Sequence, residues 1–220
     1  MEREKVFTFH TPSSMMVVGP SGSGKTVFTR DLILNNLDLF DDITPKVYYC
    51  YGIWQAGFQP MKNSGVQFHQ GIPDSELLPK WFPHGGLLIL DDLMEEGGND
   101  KRVLDLFTKQ SHHNNITVIY LCQDMFPPGK YSKSISRNAH YVIAFKNPRD
   151  QLGMKNILLQ AFPSKWKSIL ETYAKVTDRP FGYLCLDLHP TSNDSKRILS
   201  HLLKDEGCMR CYITDGRVTE

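Results

Sequence analysis

The stretch Gly19-Pro20-Ser21-Gly22-Ser23-Gly24-Lys25-Thr26 constrains this chain more than any other, because it matches G-x-x-x-x-G-K-[ST] at every fixed position. It follows a strand-like apolar run at 15–18 and opens a helical pattern over 25–35. A strand, loop and helix in that order bring backbone amides and a helix N-terminus to one point, where an anion is stabilised. The glycines allow backbone angles and a close approach that a Cβ would block. Lys25 is then expected to reach the β/γ-phosphates of a nucleotide, and the Thr26 hydroxyl to bind Mg²⁺. A Gly/Ser turn that binds nothing would not need strand and helix on either side.

The rest of the sequence supplies a frame for such a loop. Short apolar runs at 15–18, 46–51, 66–69, 87–90, 116–122, 141–146 and 182–188 read as strands. Helical patterns at 25–35, 101–112, 150–161, 165–177 and 195–203 lie between or after them. Several strands are apolar at consecutive positions, which suits a mainly parallel sheet covered by helices on both faces. With 220 residues, 40% apolar and 22% charged, the expectation is one α/β domain over 1–205 and a C-terminal tail over 206–220, where periodicity stops. The same composition excludes disordered, collagen-like and coiled-coil chains.

Net charge is +1, from 25 basic and 24 acidic residues, so bulk electrostatic binding of nucleic acid is excluded and any DNA contact must be local. No apolar run approaches the ~18 residues of a membrane span, and the charged start Met1-Glu2-Arg3-Glu4-Lys5 is unlike a signal peptide, so a soluble, intracellular protein is expected. Of five cysteines, Cys50, Cys122 and Cys185 lie in apolar runs and read as small hydrophobes. Cys208 and Cys211 have ligand spacing, but His201 is the one nearby candidate to join them, so a surface thiol pair on the tail is the expectation.

The strand at 87–90 ends in Asp91 and Asp92. Alone, an aspartate pair after a strand is more often a turn or a helix cap. With a phosphate loop upstream, Asp91 is expected to hold Mg²⁺ through water, and Asp92, one residue on, to orient or deprotonate the attacking water. The strand at 116–122 ends in Gln123, a neutral amide able to sense the γ-phosphate or align water. Thr108, His112 and His113 could approach the same edge, though histidines at a helix end are more often solvated.

Between Met125 and Arg149 the charged residues are Lys130, Lys133, Arg137, Lys146 and Arg149, all basic, in a segment expected to run through a loop into a strand. Lys130 and Lys133 are candidates for DNA backbone contact. Arg137 or Arg149 could act as an arginine finger in a neighbouring subunit's site. A solvated basic face is the plainer alternative.

The order of phosphate loop, acidic strand, Gln-ended strand and Ser136-Arg137-Asn138-Ala139-His140 resembles the FtsK–HerA superfamily of DNA-pumping ATPases. The segments ILDDLMEE, LFTKQSHHNN, VIYLCQDMF and NAHYVIAFKNPRDQ are more similar still to the genome-packaging ATPases of double-stranded DNA viruses and Polinton-type elements, over about 14–188. The resemblance implies a P-loop NTPase of the additional-strand catalytic (RecA/FtsK-like) type, a ring of five or six subunits, and Mg²⁺-dependent ATP hydrolysis that drives double-stranded DNA into a capsid. It implies capsid vertex proteins as partners and a location in the host cell, in association with the virion.

Residue by residue, the resemblance puts the phosphate loop on Gly19 to Thr26, the metal acid on Asp91, the water-activating acid on Asp92 and the polar sensor on Gln123. Many relatives carry glutamate where this chain has the shorter Asp92. Two other functions are compatible with a phosphate loop alone. A nucleoside or nucleotide kinase would need a lid and an acceptor pocket, and a nucleotide-gated scaffold would bind ATP without turnover. Steady phosphate release without an acceptor separates both from an ATPase.

Overall fold

The computed structural model describes residues 7–42, 46–93, 98–212 and 218–219. Residues Met94-Glu95-Glu96 of the acidic segment, the charged start at 1–6 and 213–217 of the expected tail lie outside them. One ten-stranded sheet has the order β10-β9-β8-β7-β6-β1-β5-β4-β2-β3. Its parallel half comprises β1 (Ser14–Val18), β2 (Val47–Tyr51), β3 (Gln67–Gln70), β4 (Gly86–Asp91), β5 (Ile116–Cys122) and β6 (Tyr141–Phe145). Strands β7 (Tyr183–Asp187), β8 (Ile198–Ser200), β9 (Arg210–Tyr212) and β10 (Val218–Thr219) extend it antiparallel beyond β6.

The consecutive apolar residues of the central strands divide between two cores by the two-residue period of a strand. Met16, Val18, Leu88, Leu90, Val118 and Tyr120 join one core, packed by Val103, Ile135, Met154, Leu158 and Ile169 from helices. Met15, Val17, Leu87, Ile89, Ile119 and Leu121 join the other, packed by Phe28, Leu32 and Ile33 of helix α1 (Lys25–Asn35). Each such fully buried side chain contributes roughly 1.5–3 kcal/mol of transfer free energy, which is why β1 sits at the centre of the sheet.

Strand and helix bounds at 116–122 and 25–35 are those expected, and the helix over 101–113 contains a π-turn at Leu106–Gln110. The expected helix at 195–203 is not formed. A short 3₁₀ turn at Asp194–Lys196 leads instead into β8. Ile198, Leu199, Leu202 and Leu203 have helical spacing, but pairing with β7 sends Ile198 to one core and Leu199 to the other. Tertiary pairing overrides a local pattern there.

Two further readings are corrected. The basic segment is not all loop before its strand: it holds a helix at Ser132–Arg137, too short and Ser-rich for periodicity to reveal. Cys208 is exposed but Cys211 is buried in β9, so the two are not a surface thiol pair. Within 206–220, Arg210–Tyr212 and Val218–Thr219 run in the sheet.

Candidate active site

At the carboxyl ends of β1, β4 and β5, a cavity of about 410 Å³ is lined by Ser21, Gly22, Gly24, Lys25, Thr26, Asp91, Asp92 and Gln123, and also by Gln55 and Phe181. The sequence-expected phosphate loop, both acids and the glutamine therefore meet at one place. The loop leaves β1 with the Gly19 amide donating to the Cys122 carbonyl at 3.1 Å, which ties it to the end of β5. A Cβ on Gly19 would lie 2.6 Å from Ser23 Oγ and 2.8 Å from Phe145 Cβ, so the tight turn requires glycine. Gly24 has φ 109° and opens α1 as its N-cap.

Lys25 Nζ donates to the carbonyls of Gly19 (2.5 Å) and Pro20 (3.0 Å), folding the ammonium back over its own loop. Burial lowers its pKa, against the opposing field of Cys122 and of the carboxylates Asp91, Asp92 and Asp124. Ser23 Oγ is buried without a hydrogen-bond partner among the described residues. An orphaned hydroxyl, a folded-back ammonium and a glycine-walled cradle fit a polyphosphate, which would offer each of them an acceptor.

Asp91 is buried at the end of β4 and accepts from Thr26 Oγ1 (3.3 Å) and Tyr49 OH (2.6 Å), both on Oδ2. Burial raises its pKa despite those two hydrogen bonds. A desolvated carboxylate beside a threonine hydroxyl is a hard-oxygen donor set suited to Mg²⁺. Thr26 and Asp91 are the residues that would hold it.

Strand alternation would send Asp92 to the face opposite Asp91. Asp92 instead has φ 56°, a left-handed conformation that aspartate tolerates better than most residues, and the turn brings it onto the same cavity. The turn packs against Gly52, where a Cβ would come within 2.3 Å of the Asp92 carbonyl oxygen. Gln123 is held from behind: Asn147 Nδ2 donates to its carbonyl (3.1 Å), while Asn147 Oδ1 accepts from the amides of Arg149 (3.1 Å) and Asp150 (3.3 Å).

The basic residues do not join this cavity. Arg149 is exposed on the loop after β6, at the same sheet edge. Arg137 is at the other edge: Ser14 Oγ, at the start of β1, donates to the carbonyl of the next residue, Asn138 (2.6 Å). His112 also lies at that far edge, 6.1 Å from His140 between ring centroids, and does not approach the acids. Lys130 and Lys133 are exposed, and Lys146 pairs with Asp178 at 3.1 Å.

Tyr49, Gln55, Asn147 and Phe181 were not among the residues expected at the site. Tyr49 and Asn147 carry the one sequence signal available, a polar group in or beside a buried strand that must find a partner.

No protein-family model matches the sequence, and no curated protein does. Among solved structures, the genome packaging NTPase B204 from Sulfolobus turreted icosahedral virus 2 is similar in fold. Its complex with ATPγS aligns at TM-score 0.55 and 13% identity, covering 86% of this chain and 96% of that one. Its complexes with AMPPCP (TM-score 0.52, 14% identity, 86% and 96% covered) and AMP (TM-score 0.50, 13%, 80% and 92%) align in the same way. At such identity the likeness is one of fold: the chain has the P-loop NTPase fold of the additional-strand type. Among the described residues no helix is long and apolar enough to cross a membrane.

Proposed function

We propose that this chain is a Mg²⁺-dependent ATPase that works as a ring and drives double-stranded DNA into a viral capsid. The observation that carries the ATPase part is the convergence of Lys25, Thr26, Asp91, Asp92 and Gln123 on one cavity at the carboxyl edge of the sheet. The packaging part is supported by the likeness in fold to a protein described as a genome packaging NTPase and by the resemblance of the later motifs.

The loop amides and Lys25 bind the phosphates, and Lys25 exchanges its bonds to Gly19 and Pro20 for phosphate oxygens. Thr26 and Asp91 would hold Mg²⁺, which when bound would supply charge neutralisation at the phosphates. Asp92, turned into the cavity, takes the proton of the attacking water, and Gln123 aligns that water. Arg149, exposed at the same edge, reaches a neighbouring subunit's nucleotide as the trans arginine, while Arg137, at the far edge, is the second candidate. Exposed Lys130 and Lys133 meet the DNA backbone, and capsid vertex proteins would receive the ring.

The test is phosphate release with and without duplex DNA. Lys25→Ala should lose tight ATP binding. Asp92→Asn should keep Mg-ATP affinity within a few-fold while kcat falls by about 10² or more. Arg149→Ala should lose about 10³ in kcat, and mixing it with Lys25→Ala subunits should restore part of the activity. Full turnover by Asp92→Asn would remove its role as base, and full turnover by diluted monomers would remove the trans arginine.

A further inference from the structure

Phe181 is a large aromatic residue left 67% exposed, in a chain that buries most of its phenylalanines. Its φ of 59° is left-handed, a conformation costly for a side chain of this size and one that turns the ring out of the loop joining the last helix (Trp166–Val176) to β7. The ring lies against the phosphate loop: a Cβ on Gly24 would meet Phe181 Cδ1 at 2.9 Å. Phe181 stands between two cavities. One holds Lys25, Asp91, Asp92 and Gln123. The other, also about 410 Å³, is walled by Pro20–Ser23 of the phosphate loop and by residues 177–182.

The topology explains this placement. Strand β7 runs antiparallel to β6, so Tyr183 pairs with Phe145 and the loop before β7 reaches the carboxyl edge, where the phosphate loop lies. The acids and Gln123 arrive from β4 and β5, on one side of β1; Phe181 arrives from β6 and β7, on the other. A nucleotide whose terminal phosphate faces the acids extends its base toward Phe181.

We propose that Phe181 is the stacking platform for the nucleobase, and that it selects purine over pyrimidine nucleotides with little distinction between adenine and guanine. The inference rests on the nucleotide-binding reading above. Polar side chains of the same loop are engaged: Asp178 with Lys146 (3.1 Å), Arg179 with Glu206 (3.3 Å), and Thr177 Oγ1 with the Tyr173 carbonyl (2.7 Å). With those side chains engaged, the loop offers a base the exposed Phe181 ring rather than free side-chain donors and acceptors, and stacking on an aromatic ring is tolerant of base identity but grows with ring area.

Calorimetric titration with ADP, GDP, UDP and tripolyphosphate tests this. The wild type should bind ADP and GDP within a few-fold of each other and UDP more weakly. Phe181→Ala should weaken ADP about tenfold and leave tripolyphosphate unchanged. Phe181→Trp should recover ADP affinity, and its emission should change with ADP but not with tripolyphosphate. Equal ADP affinity in wild type and Phe181→Ala, or an equal loss for ADP and tripolyphosphate, would overturn the platform while leaving the phosphate loop in place. Failure of the wild type to bind any of the four would instead overturn the nucleotide reading itself.

Discussion

Tyr49 illustrates what a single hydroxyl does at this site. Its ring is buried on β2, and its OH is aimed at the carboxylate expected to hold the metal, 2.6 Å from Asp91 Oδ2. Tyr49→Phe would remove one of the two donors that counter the burial of Asp91 and so favour its neutral form. Such a variant should need about three- to tenfold more Mg²⁺ for half-maximal turnover, with metal-free ADP affinity within twofold. Turnover against Mg²⁺ concentration decides it, and an unchanged Mg²⁺ requirement would reduce Tyr49 to packing. Lys25 and Thr26 were legible in the sequence because their role depends on neighbours within eight positions. Tyr49 was not, since which of Tyr48, Tyr49 and Tyr51 reaches Asp91 depends on strand pairing and on which way each side chain points. Asp92 was legible as a residue, but the left-handed turn that brings it beside Asp91 was not.

Helix Ser132–Arg137 turns the basic segment into a face. Ser132, Ile135 and Ser136 are buried, while Lys133 and Arg137, four positions apart, are exposed together. Like charges at that spacing are mildly destabilising in an isolated helix, an arrangement that suits a surface meeting phosphates. Lys130→Ala combined with Lys133→Ala should therefore lower DNA-stimulated phosphate release and flatten its salt dependence while leaving DNA-free turnover intact. A loss of DNA-free turnover would instead assign these lysines to the nucleotide site or the ring contact. Periodicity missed this helix because six residues give no repeat, and it misassigned 195–203 for the converse reason: Ile198, Leu199, Leu202 and Leu203 are spaced for a helix, yet β7 offers a partner that only the folded sheet supplies. Elements whose signal is contained within them, such as α1 and β5, were read at their observed bounds.

At the scale of the whole molecule, the two edges of the parallel sheet differ in kind. The carboxyl edge carries the phosphate loop and acids; the amino edge gathers His10, His140 and His189, with centroids 4.6 Å and 5.0 Å apart, near His112, Asp41, Asp187 and Arg197. Burial lowers the His140 pKa to about 4, helped by His189 and His112, and the Ser14 amide donates to its Nδ1 at 3.1 Å, the position a second proton would need. A histidine held neutral in the fold but free to take a proton when unfolded contributes stability above its ordinary pKa of about 6.5, and that contribution is lost as pH falls toward 4. Thermal melts should show Tm falling over this window, and less steeply in His140→Asn; equal slopes would place the acid sensitivity elsewhere. The position of β1 has another consequence, in the order of assembly. Both of its partners come late in the chain, Ser14 pairing with Val118 and Val18 with Ala144, so a growing polypeptide carries Met15–Val18 without a partner until β5 has been made, and with one edge still unpaired until the segment through Ala144 follows. Contacts so distant in sequence make folding slow and expose an apolar strand meanwhile. A chain stopped before β6 would contain every residue of the phosphate-binding motif and lack the strand that frames one side of it, so the earliest-written part of the site is among the last to be built.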